Sequence, residues 1–135
     1  MIDPQNVPAV TDEELLARFI VNGDYVRPDG GVKPELFMPY KWVELSVNRH
    51  REASLDETWA IGIQVAEGRG KKLIGRADIQ ASACHIPPLK AQSAPILGNP
   101  NHADIVGYPP DKAEQKSLAT KLAASIQRGQ WISVP

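Results

Sequence analysis

The chain predicts an α+β fold: one small domain, a mixed or antiparallel sheet with about three helices packed on one of its faces. Three observations carry this. Three segments open with a cap residue followed three positions later by Glu, a pairing that satisfies backbone N–H groups left free by a first helical turn. Several short apolar runs bounded by Pro, Gly or Asn have strand length, and one alternates strictly. These elements follow one another as helix, strands, helix, strands, helix, with no repeat and no linker between them.

In order, residues 1–10 read as an N-terminal extension and residues 11–135 as the domain. Thr11 with Glu14 starts a first helix over 11–21, burying Leu15, Leu16, Phe19 and Ile20; its second half, Phe19-Ile20-Val21, reads equally as a strand. Tyr25–Arg27 enters the turn Pro28-Asp29-Gly30-Gly31, where Pro presets φ and glycine accepts positive φ. Val43–Asn48 is the clearest strand, with Val43, Leu45 and Val47 facing one way and Glu44, Ser46 and Asn48 the other.

Ser54 with Glu57 starts a second helix over 54–67, with Leu55, Trp59, Ile63 and Ala66 on one side. Gly62 inside it either weakens the helix or marks close packing on a neighbour. Lys72–Ala77, Lys90–Ile96 and Ala103–Tyr108 are further strands, whereas Ala77–His85 suits helix and strand equally. Asp111 with Glu114 starts the third helix over 111–128, where Leu118, Ala119, Leu122, Ala123 and Ile126 recur at helical spacing. Trp131–Val134 then packs the tail onto the body.

A net charge of −1 argues against a protein whose main work is neutralising a duplex backbone, although residues 41–76, with seven bases to five acids, are slightly basic. One cysteine, Cys84, forms no internal disulfide and reads as a buried structural thiol. The start Met-Ile-Asp-Pro lacks the basic and apolar regions of a secretion signal, and no apolar run nears the roughly 20 residues of a membrane span. A cytoplasmic protein without membrane contact is expected. No cofactor motif is present, and His50, His85, His102 and Cys84 lack the spacing of a structural zinc site.

Two polar groupings stand out. His50 lies between Arg49 and Arg51 just after the clearest strand, whose polar face carries Ser46; arginine for bidentate anion contact, histidine as an acid or base and serine as a donor would make an anion pocket. A solvated strand end, with Glu52 as a local ion-pair partner, is the plain alternative. His102 stands two residues before Asp104, so in an extended segment the carboxylate orients the imidazole; a loop histidine capping backbone groups is the alternative there. Gly68-Arg69-Gly70-Lys71-Lys72 follows a helix and precedes a strand, which makes it a helix end and basic turn, not a phosphate loop.

The stretches Glu44–Arg49, Gly75–Ile79 and His102–Lys116 resemble segments of small uncharacterised bacterial proteins over roughly residues 11–127. The resemblance implies a bacterial or phage setting and no particular activity. Arg18 in a first strand, with Ser46 in a strand followed by a helix, is also similar to the opening of ADP-ribosyltransferase folds, without a Glu in a matching third motif.

Whether the chain is an enzyme stays open at this level. The first expectation is an accessory or regulatory domain that binds a phosphate-bearing ligand, a nucleotide or short RNA, through Ser46, Arg49, Arg76 and Asp104, with His102 and His50 as acid or base. It requires these side chains to converge on one cleft. The second is a non-catalytic interaction module or homodimer, using the apolar segment Leu36, Phe37, Met38, Tyr40 and Trp42.

Overall fold

A computed structural model describes residues 7–39 and 44–135. Among these residues six strands form one sheet: β1 (Leu15–Ile20), β2 (Leu45–Arg49), β3 (Gly75–Gln80), β4 (Lys90–Ser93), β5 (His102–Val106) and β6 (Ile132–Ser133). Their order is β4-β5-β2-β1-β3-β6, and every neighbouring pair is antiparallel. Among the described residues the α-helices are α1 (Leu55–Gly68) and α2 (Lys112–Ala124), two where the sequence predicts about three. Among the described residues no helix is long and apolar enough to cross a membrane.

The missing helix is β1. Its apolar run suits helical spacing because a central strand buries both faces, and both are in use: Leu16 and Ile20 join the cluster around α2, Ala17 and Phe19 the cluster around α1. The Thr11–Glu14 pairing does form, since Glu14 Oε2 accepts from the Thr11 N–H at 2.7 Å, but the turn it closes leads into a strand. The two clusters also put α1 and α2 on opposite faces of the sheet, not on one.

α1 carries the complete capping box, with Ser54 Oγ accepting from Glu57 N and Glu57 Oε1 from Ser54 N, each at 3.1 Å. Its buried stripe is Thr58, Trp59, Ile61, Gly62 and Ala66, while Leu55 and Ile63 face solvent. Gly62 explains the rotation: a Cβ there would stand 2.6 Å from the Phe19 ring, so β1 and α1 approach where no side chain intervenes. α2 is capped by Asp111 and packs Leu118, Ala119 and Leu122 over the other face.

The ambiguous stretch Ala77–His85 divides into β3 and a single 3-10 turn, Ala81–Cys84. Cys84 is buried, which pushes its thiol pKa up to about 12. Another 3-10 turn, Pro34–Phe37, buries Leu36 and Phe37, and Tyr108 Oη donates to the Phe37 carbonyl at 2.8 Å. Those two residues therefore offer no exposed patch to a partner; Tyr40, Trp42 and Val43 lie outside the described residues.

Candidate functional site

Strand parity distributes the polar side chains. Leu16 pairs with Arg49 and Ala17 with Asn48, so Arg49 shares the α2 face with Leu16. Ser46 and Asn48 share the α1 face with Ala17, and the register adds His102 and Asp104 on β5 and Arg76 and Asp78 on β3. The residues expected to meet in one place thus occupy three.

Arg49 is 0% exposed and its donors are all engaged within the protein. Nε and Nη2 grip the Glu14 carboxylate at 2.7 and 2.8 Å, Nη1 donates to the Pro8 carbonyl at 2.7 Å and Nη2 to that of Ala9 at 3.3 Å. Expected as a ligand contact, Arg49 is instead the strut that ties the N-terminal segment to the sheet. Burial raises the Glu14 pKa, but the Arg49 guanidinium and the Thr11 N–H outweigh it and hold the carboxyl below its ordinary value.

The second place is centred on Asp78. His50 reaches over β1 from the end of β2, and its Nε2 lies 2.8 Å from Asp78 Oδ1. Arg76 Nε donates to both carboxylate oxygens at 3.1 and 3.2 Å, and the guanidinium carbon lies 4.5 Å from the centre of the Trp59 ring. Burial pushes the Asp78 pKa up, yet the hydrogen bond and charge of His50 and the charge of Arg76 prevail and lower it. Ionised Asp78 only accepts, so the hydrogen between it and His50 is carried on Nε2.

These groups line a cavity of about 430 Å³ whose wall is completed by Leu15, Leu55, Gln127, Arg128, Gln130, Trp131 and Ile132. Here β6 pairs with β3 through Ile132 and Arg76, carrying Trp131 alongside. Gly75 makes that approach possible, because a Cβ there would lie 2.3 Å from the Ile132 carbonyl. Arg128, exposed at the rim, holds a φ of 61°, a left-handed conformation uncommon for a side-chain-bearing residue. Arg76 is 4% exposed, and among the described residues its Nη1 has no hydrogen-bond partner.

The third place joins Ser46, His102 and Asp104 across β2 and β5. Ser46 Oγ lies 2.7 Å from His102 Nε2, Asp104 Oδ1 lies 3.8 Å from the same nitrogen, and His102 Nδ1 is 2.8 Å from the Ala94 carbonyl. Asp104 sits near the Nε2 side of the imidazole, so a backbone carbonyl, not the carboxylate, orients the ring. An open cleft of about 720 Å³ adjoins these residues, with Arg18, Arg69 and Lys71 on its wall. Gly70, at φ 65°, turns the chain after α1 and so delivers Arg69 and Lys71 there, as a helix end and basic turn.

Asp78, Trp131, Gln130 and Arg128 of the second place were not among the expected site residues. Asp78 carries a signal, since it stands two residues after Arg76 in a strand and shares its face; the other three arrive with the tail. His85 pairs with Asp12, Nδ1 to Oδ1 at 2.5 Å, and not with Cys84. Among the described residues no three His, Cys, Asp or Glu side chains gather as a metal site. Comparison with protein-family models, curated proteins and solved structures finds no match.

Proposed function

We propose that the protein binds a small phosphate-bearing ligand, a nucleotide or the end of a short RNA, in the cavity around Arg76, His50 and Asp78. The observation that carries this reading is the unpartnered Nη1 of the buried Arg76. A buried guanidinium N–H without an acceptor costs about 1–3 kcal/mol, and a phosphate oxygen is the acceptor that matches arginine's planar fork.

Further support comes from the lining. Arg76 and Arg128 against Asp78 leave the cavity a net positive charge. The Gln127 and Gln130 amides supply both donors and acceptors for a base edge. Arg76 is already held on Asp78 and against Trp59, so little side-chain freedom is lost on binding.

Calorimetric titration with inorganic phosphate, AMP and adenosine tests the reading. AMP is expected to bind at least tenfold tighter than adenosine. Arg76→Gln is expected to abolish that preference, and Arg128→Ala, a change at an exposed residue, to reduce it several-fold with the melting temperature unchanged. Equal binding of AMP and adenosine, or an unchanged preference in both variants, overturns it.

A further inference from the structure

We propose that Ser46 is a nucleophile activated by His102, and that the cleft beside it takes a carboxylic ester bearing an anionic group. The argument begins with the hydrogen on the imidazole. The Ala94 carbonyl only accepts, so the 2.8 Å contact to His102 Nδ1 fixes the hydrogen on that nitrogen. In the neutral ring Nε2 then holds a lone pair, and Ser46 Oγ, 2.7 Å away, donates its hydrogen into it. That is the direction of proton flow a serine nucleophile needs, and general-base help of this kind is worth roughly 10²–10⁴ in rate.

Register makes the arrangement rigid. Ser46 pairs with Asp104 and Asn48 with His102 on adjacent antiparallel strands, so the two reacting side chains are a diagonal pair on one sheet face. Asp104 Oδ1, 3.8 Å from Nε2, is placed to stabilise the imidazolium that proton transfer creates. Arg69 and Lys71 on the same wall supply positive charge for an anionic substrate and for the oxyanion of the addition step.

Ser46 Oγ adds to the ester carbonyl carbon while His102 Nε2 takes the hydroxyl proton. The tetrahedral oxyanion collapses, the carbon–oxygen bond to the leaving alcohol breaks, and His102 returns the proton to that oxygen. Water, deprotonated by the same nitrogen, then adds to the acyl-serine carbonyl; the bond from that carbon to Ser46 Oγ breaks, His102 Nε2 returns its proton to Oγ, and the carboxylic acid is released. β1, through Ala17 and Phe19, separates this cleft from the Arg76 cavity, so the two sites stand or fall independently.

An alkyl fluorophosphonate is the probe: the serine oxygen displaces fluoride at phosphorus and retains the phosphonyl group. Wild-type protein is expected to gain one phosphonyl mass, mapped by peptide mass spectrometry to Ser46. His102→Gln is expected to slow labelling at least tenfold, and Ser46→Ala to remove it with the circular dichroism spectrum retained. Should Ser46→Ala fail to fold, the wild-type map and the His102→Gln rate still decide. No adduct on Ser46, or labelling as fast in His102→Gln, overturns the proposal.

Discussion

Arg49 and Arg76 are both buried on the same sheet, yet their chemistry divides them. Arg49 has acceptors at every nitrogen, so its removal leaves Glu14 and two carbonyls without their donor. Arg49→Met is expected to cost about 3 kcal/mol in urea unfolding, as breaking a buried pair does, with affinity for AMP unchanged per folded molecule. The alternation over Val43–Asn48, continued, puts Arg49 on the side of Val47 and His50 on the side of Ser46, but it does not say what either side chain meets there. Glu14 and Asp78, the partners that make one a buried strut and the other a cavity residue, are brought up by β1 and β3 only in three dimensions. The Glu14 and Asp78 carboxyls both lie below their ordinary pKa in the folded state. Their stabilising contributions are therefore present above the ordinary carboxylate pKa and lost as the pH falls through the lowered folded values. Urea unfolding from pH 7 to pH 3 is expected to show that acid-side loss, and Glu14→Gln to flatten part of it.

At the scale of elements, the capped starts of α1 and α2 were legible because capping is a local matter of four residues. β1 was not: its spacing fits a helix, and only pairing with β2 and β3 decides. Gly62 shows a local preference yielding to packing. Alanine favours a helix interior over glycine by about 1 kcal/mol, but its Cβ would meet two Phe19 ring carbons at 2.6 and 2.7 Å and Leu73 at 3.1 Å. Gly62→Ala is expected to lower stability by about 1–2 kcal/mol, overpacking outweighing propensity; a stabilised variant in thermal unfolding would show that α1 slides freely on the sheet.

Across the whole molecule, two helices on opposite faces of one antiparallel sheet leave part of the α1 face polar, and both candidate sites lie on it. The residue types of those sites were visible in the chain: Ser46, His50, Arg76, His102 and Asp104 all stand on this face. Their division into two places was not, because it follows from β1 running between β2 and β3. Cys84, buried beneath the sheet with its pKa raised to about 12, reports on the integrity of the whole. At pH 8 a disulfide exchange reagent is expected to leave it unmodified in the folded protein and to react fully in urea.

The anion cavity is the central claim, and a ¹H–¹⁵N NMR titration with AMP tests it most directly. Shifts are expected to concentrate at the backbone amides of His50, Arg76, Asp78 and residues 127–132, with the Arg76 side-chain N–H resonances moving downfield as they gain a phosphate acceptor. Shifts absent from these residues at saturating AMP, or confined to β4 and β5, would contradict it.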